Sequence, residues 1–266
     1  MINVNSNISA LKMITAFNDS QDNLSKSLLR LSTGLRVNSA QDDPGGLGVS
    51  MRLNAQIARK SIVHDEVNNA VSFLDTQDAV MDAANSVLER MAELTQLGVG
   101  SLDTSAQAIY QVEYEQLEGE LQGLLTEEFN GRNMFNDGGA TLTVFISDNT
   151  SQTASITQAN MEDQVYDVVS NGDVTTTATY SAVTTAINNL AELRATNGGE
   201  QNRFDRAASV LDAGIINLTA ANSRIMDADT ALESVNMTKY DILQQSSLAM
   251  LVQANQSNEN ILLLLR

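Results

Sequence analysis

Cysteine is absent from the 266 residues, and with it go disulfides, thiol nucleophiles and thiolate metal sites. Tryptophan is also missing and aromatics reach only 4%, so a core must be built mostly from aliphatic side chains. Proline occurs once, at Pro44, which leaves long stretches without a helix breaker. The only histidine, His64, stands one step from Val63 in a helical seam. That placement argues for a solvated helix position and against a Ser-His-Asp triad or a multi-histidine metal site. No long apolar run exists either: Ile261 to Leu265 is far too short to span a bilayer. The first residues lack the basic and apolar regions of a cleaved signal peptide, so the chain is expected to be cytoplasmic or exported by a route that cleaves no signal.

What the chain has in excess is acid. The net charge is -18, unevenly spread. Residues 1–36 carry Lys12, Lys26, Arg30 and Arg36 against Asp19 and Asp22, a net of +2. Residues 225–266 carry Lys239 and Arg266 against Asp227, Asp229, Glu233, Asp241 and Glu259, a net of -3, which leaves -17 for the middle. Near-neutral ends can pack on copies of themselves, whereas the acidic middle resists it. A pI near 4.2 argues against nucleic acid and anionic membrane surfaces as partners, because a basic face is missing.

The ends are also where helical seams open and close the sequence. Ala10, Ile14, Phe17, Gln21, Leu24, Leu28, Leu31 and Leu35 alternate at steps of four and three, the rhythm of a helix packing on a helix. Near the other end Leu243, Ser247, Met250, Ala254, Ile261 and Leu265 share one stripe, and Val235, Ile242, Ala249 and Val252 form a second. A helix apolar on two sides expects two partners. Neither end should be stable alone, and the pair is expected to order when neighbouring copies cover its second face.

Between the ends, a connector from Arg36 to Gly46 holds the proline and a glycine pair, read as flexible. A second seam follows with Val63, Val67, Ala70, Leu74, Gln77, Met81, Ala84, Leu88 and Met91, and a third with Tyr110, Tyr114, Leu117, Leu121 and Leu124. Leu142, Val144 and Ile146 then alternate at period two, as do Ala154 and Ile156 beyond a polar loop, which predicts a β-hairpin. A flexible tip is expected around Ser170 to Tyr180. Helical rhythm resumes at Val183, Ile187 and Leu190 and keeps its phase through Phe204, Ala208, Leu211 and Ile215 to Ile225. The expected fold is mainly α: an elongated helical rod with a terminal coiled-coil pair and a small β-hairpin region. Its parts are 1–44, the N-terminal coiled-coil helix and connector; 45–224, a rod domain with helices over 45–130, a β-rich tip over 136–180 and a return helix over 183–224; and 225–266, the C-terminal coiled-coil helix.

Chemistry is hard to find in this pattern. The acid pairs Asp42-Asp43, Glu127-Glu128 and Asp227/Asp229 have neither Ca²⁺-loop nor acid/base spacing, and Gly45-Gly46-Leu47-Gly48 lacks the Lys-Ser/Thr of a phosphate loop. No cofactor is implied. Met81, Met91, Met226, Met237 and Met250 read as packing residues rather than as a promiscuous groove.

Arg30-Leu31-Ser32-Thr33-Gly34-Leu35-Arg36-Val37-Asn38-Ser39-Ala40-Gln41-Asp42-Asp43 closely resembles the N-terminal signature of bacterial flagellins. Ser223-Arg224-Ile225-Met226-Asp227-Ala228-Asp229, Ile242-Leu243-Gln244-Gln245, Gln253-Ala254-Asn255-Gln256 and the closing Leu264-Leu265-Arg266 resemble their C-terminal signature, and Glu128-Phe129-Asn130-Gly131 and Gln201-Asn202-Arg203-Phe204 are further family-like words. The resemblance spans about residues 1–135 and 183–266. It implies a short-form flagellin without variable outer domains: a structural subunit, not an enzyme, whose terminal helices form an inner coiled-coil tube in a self-assembled extracellular filament for swimming. It also implies export through the flagellar type III apparatus, a chaperone on the C-terminal segment, and hook-associated junction and cap proteins as partners. The tube-forming contacts are expected at Leu24, Leu28, Leu31, Leu35, Ile242, Leu243, Met250, Ile261 and Leu265. Arg30, Arg36, Asp42 and Asp43 are expected to form ion pairs in the connector. Arg90, Glu93 and Leu94 match the motif through which some flagellins are detected by Toll-like receptor 5, with Gln96-Leu97 shifted from the usual pattern. Asp43-Pro44-Gly45-Gly46 is closer to the hook–filament junction protein, the alternative reading, which would act as an adaptor in few copies.

Overall fold

The computed structural model describes residues 7–135, 141–149 and 151–264. Among them, α1 covers Ile8–Thr33, α2 Pro44–Gly100, α3 Thr104–Leu124, α5 Thr177–Met226 and α6 Thr230–Leu264, with a short α4 at Asp167–Val169. Two antiparallel strand pairs complete the list, β1 (Glu128–Phe129) with β2 (Arg132–Asn133) and β3 (Thr141–Phe145) with β4 (Thr153–Thr157). The mainly α expectation holds. The chain divides into two compact units, Met1–Ala55 with Asn217–Arg266, and Gln56–Ile216.

The unit Gln56–Ile216 is built on the second seam. Every one of the nine residues expected there, from Val63 to Met91, is buried, and most are sealed completely. Gln77 is the polar member, and its side chain is satisfied on both sides: Nε2 donates to the Met134 carbonyl at 2.8 Å and Oε1 accepts from Asn197 Nδ2 at 2.8 Å. Buried Val183, Ala186, Leu190, Asn197, Phe204 and Leu211 give α5 one continuous stripe. That stripe passes Gly198-Gly199 in phase and lies in the same hydrophobic core as α2 and α3. Arg194 ties α5 to α2 by reaching Asp78 at 3.0 Å and Asp82 at 2.8 Å.

The hairpin at β3–β4 has the expected alternation. Leu142 faces Ile156 and Val144 faces Ala154 across the pair, and Ala154 and Ile156 are buried. Glu200 of α5 anchors the end of β4, its carboxylate accepting from the Thr157 amide at 3.0 Å and the Thr157 hydroxyl at 2.7 Å. The β1–β2 pair was not expected. Asn130 and Gly131 connect it with φ of 53° and 74°, the Asn-Gly turn whose backbone twist suits a tight hairpin.

Two expectations are corrected. The segment from Ser170 to Tyr180 is no flexible tip. A π-helical turn at Glu162–Tyr166 and α4 lead into it, and Met161, Val165, Val169 and Val174 are all fully buried. Tyr114 donates its hydroxyl to the Val169 carbonyl at 2.8 Å, and burial pushes that phenol's pKa well up. Gln111 grips the loop from both sides, donating to Gly172 O and accepting from Val174 N, each at 3.0 Å. Gly98 and Gly172 make this docking fit, since a Cβ on either would collide with the Val174 backbone or with Tyr114 and Thr179. The glycine pair after Pro44 is not flexible either: Gly45 and Gly46 form the first turn of α2. A Cβ on Gly46 would strike Asp43 and press on Ile225, so glycine here serves close packing.

Candidate assembly surface on the terminal helix pair

Helix α1 starts where Asn7 caps it, its side chain accepting from Ala10 N at 3.0 Å, and stops at Gly34, which takes the left-handed conformation at φ 72°. It packs lengthwise and antiparallel on α6. At one end Asn7 Nδ2 donates to Ala254 O at 3.1 Å, and at the other Arg30 pairs with Glu233 at 3.8 Å.

The residues turned into this seam alternate small or polar side chains with larger apolar ones. On α1 the shielded column is Ala10, Met13, Phe17, Ser20, Leu24, Ser27 and Leu31, at steps of three and four. Ala10, Ser20 and Ser27 are its most buried members, Ser27 at 2% exposure. On α6 the matching column is Glu233, Met237, Tyr240, Gln244, Ser247, Leu251 and Ala254. Many other large aliphatic side chains point the other way. Leu11, Ile14, Leu28 and Leu29 of α1 are exposed, as are Leu232, Val235, Ile242, Leu243, Leu248, Met250 and Val252 of α6, with Leu28 at 49% and Met250 at 60%. A helix pair whose most buried positions on α1 are serine and alanine, while leucine and methionine face solvent, leaves part of its hydrophobic driving force unused.

The sequence-expected tube residues therefore separate. Leu24 and Leu31 lie in the internal seam, and Leu35 sits in the connector, bridged to Asp227. Leu28, Ile242, Leu243 and Met250 are on the outside of the pair rather than in it. The correction is a shift by one column: the sequence stripe combined Ala10, Phe17, Leu24 and Leu31 with Ile14, Gln21 and Leu28, whereas the helix combines them with Met13, Ser20 and Ser27. Ile261 belongs to α6, and Leu265 lies outside the described residues.

The expected connector ion pairs do not form among Arg30, Arg36, Asp42 and Asp43. Arg30 goes to Glu233, and Arg36 donates to the Ile225 carbonyl at 2.7 Å. Asp42 accepts from Asn38 N at 3.1 Å and Ser39 N at 3.0 Å, and these amides hold its carboxyl below its usual pKa. Asp43 accepts from Gly46 N at 2.8 Å at the start of α2. Free backbone groups have claimed three of these charges: Arg36 and Asp43 at helix ends, and Asp42 within the connector turn.

In the other unit Arg90 and Glu93 are exposed, with Arg90 held by Glu93 at 2.8 Å and Glu113 at 2.7 Å. Leu94 is fully buried in the core, so its side chain offers nothing to a partner at this surface. His64 is less solvated than expected, lying 3.1 Å from Asp212 of α5. A pocket of about 590 Å³ opens beside the β3–β4 hairpin, with Phe73, Phe129, Leu142 and Ile156 in its lining. Among the described residues no group of three or more histidines or acids is arranged to hold a metal, and no helix is long and apolar enough to cross a membrane.

Comparison with known proteins gives a consistent answer at both ends of the chain. The family model of the bacterial flagellin N-terminal helical region matches residues 4–140, and that of the bacterial flagellin C-terminal helical region matches residues 180–265. The chain is 32% identical over 284 residues to flagellin FlaB2 of Treponema pallidum (strain Nichols), and 33% identical over 304 residues to flagellin of Bacillus subtilis (strain 168). Each alignment covers 99% of both partners. The crystal structure of Bacillus cereus flagellin shares the fold with a TM-score of 0.50 at 23% identity, over 55% of this chain and 88% of that one.

Proposed function

From the premise that this chain belongs to the bacterial flagellin family, we propose that the outward apolar faces of α1 and α6 are the surfaces through which its copies join. The protein is a structural subunit that self-assembles into the flagellar filament. One observation carries the proposal: the pair buries Ser20 and Ser27 while exposing Leu28, Ile242, Leu243 and Met250. In this reading Leu24 and Leu31 hold α1 to its own α6, and the exposed set inserts between neighbouring copies. Ile261 and Leu265 continue the α6 stripe by their spacing. Area left bare in one copy becomes the driving force for adding the next.

The same face explains the finer partners we assign. A sticky α6 needs a cytoplasmic chaperone before export, and a chain without cysteine passes unfolded through a type III channel with no disulfide to form or break. The filament then lies outside the cell, bounded by junction and cap proteins. Arg90 and Glu93 are the residues we assign to Toll-like receptor 5, without Leu94. We assign no catalytic role.

The test is electron microscopy of the purified full-length protein seeded with sheared filament fragments. Long uniform filaments are expected. Monomers or short oligomers would favour an adaptor at the hook–filament junction. Chains lacking residues 1–40 or 226–266 should stay soluble without forming filaments, and filaments from either truncation would overturn the assignment.

A further inference from the structure

The turns that join α1 to α2 and α5 to α6 lie side by side and are bonded to each other. Leu35 pairs with Asp227 in an antiparallel bridge, Ala228 N donates to Gly34 O at 2.8 Å, and Arg36 N donates to Met226 O at 2.6 Å. The last carbonyls of α5 have no helical partner of their own. Arg36 takes three in succession: its guanidinium Nη2 reaches Ile225 O at 2.7 Å and Arg224 O at 3.4 Å, while its main-chain amide takes Met226 O. A cation at a helix C-terminus also meets the favourable end of the helix dipole.

The rest of the connection is satisfied from within. Val37 is buried at 2% exposure, Asp42 binds the Asn38 and Ser39 amides, Asp43 caps α2, and Asp229 caps α6 through the Ala231 and Leu232 amides at 2.9 and 3.1 Å. The two connectors thus form a joint that one copy completes by itself. The α1/α6 seam beyond it buries only Ala10, Ser20, Ser27 and Glu233 deeply.

We propose that this joint is a register clamp with Arg36 as its latch: it holds the bases of α1 and α6 in fixed antiparallel alignment, so that the pair is preset before neighbours cover it. The entropy of bringing the two chain ends together is then met within the subunit rather than at each addition to the polymer. The inference rests on the filament-subunit reading for its consequence, but the clamp itself is a property of the single chain.

The experiment compares full-length wild type, Arg36→Ala and Arg36→Lys. In the monomer, hydrogen exchange at the residue 36 and Ala228 amides reads the clamp directly, because both amides survive the substitutions. Arg36→Ala is expected to exchange about tenfold faster at these two sites, the loss of one to two charged hydrogen bonds, with Arg36→Lys between. Thermal unfolding of the Gln56–Ile216 core should not move. In seeded growth the critical concentration of Arg36→Ala should rise about three- to tenfold. Unchanged amide protection in Arg36→Ala would overturn the clamp, and a wild-type critical concentration alongside lost protection would overturn its role in presetting the pair for assembly. If wild type itself forms no filaments, the filament reading fails, and the exchange arm still decides the clamp.

Discussion

The helical core of Gln56–Ile216 and the α1/α6 pair share a heptad rhythm but fill it differently. In α2 the rhythm marks large side chains turned inward: Leu74, Met81, Leu88 and Met91 are all sealed. In α1 and α6 the inward columns mix Phe17, Leu24, Leu31 and Leu251 with Ala10, Ser20, Ser27, Ser247 and Ala254, and many other large aliphatic side chains face out. A unit that must be stable as a monomer closes over its large residues. On the proposed reading, a unit completed by its neighbours keeps many of them for the next copy.

The largest expected effect probes that contrast from the core side. Leu88→Ala should cost about 2–5 kcal/mol in calorimetric unfolding of the monomer, whereas Leu28→Ala should change it by no more than about 0.5 kcal/mol. Equal losses would erase the distinction. Next comes charge at the polymer face. Met250→Asp, exposed in the monomer, should leave core unfolding unchanged and abolish seeded growth, because assembly would bury an unpaired carboxylate; Leu31→Asp should also abolish filaments. Normal filaments from either variant would refute the placement of that residue.

Adding bulk to the internal seam gives a smaller effect. Ser27→Leu should overpack the α1/α6 contact by about 1–3 kcal/mol and raise hydrogen exchange along α1, and a variant that pairs more tightly would mean the small column is not the tight one. The smallest effect is at Asp42. Its carboxyl is held below the ordinary value of 3.8 by the Asn38 and Ser39 amides, so its contribution is present above that pH and is lost as pH falls through the lowered value. The Asn38 and Ser39 amide resonances should titrate together with a midpoint below 3.8, and a midpoint above it would contradict these two hydrogen bonds.

Where large side chains carried the pattern, the sequence was legible. The α2 stripe, the β3–β4 alternation and the phase of α5 across Gly198-Gly199 were all readable from spacing. The α1 seam was not, because Ile14 and Leu28 are more apolar than Ser20 and Ser27, and hydropathy cannot tell a column reserved for neighbours from one used internally. The loop before α5 was missed for a related reason. Met161, Val165 and Val169 follow one another at four-residue steps, a helical signal, but dense Ser, Thr, Asn and Asp around them read as mobility. Connector charges were misassigned because the free backbone groups that captured them, at helix ends for Asp43 and Arg36 and in the connector turn for Asp42, leave no trace in composition. Leu94 was read by motif, and only its burial shows that it packs inward.

A chain with no cysteine permits a direct test of which face the polymer covers. Single variants Leu28→Cys, Leu243→Cys and Met250→Cys would be labelled with a maleimide as monomers and as seeded filaments, with Val210→Cys, exposed at 72% on the other unit, labelled in parallel. The account predicts rapid labelling of the first three in the monomer and protection of more than about tenfold in the filament, as a thiol buried in apolar surroundings is unreactive. Equal labelling of those three positions in monomer and filament would contradict it.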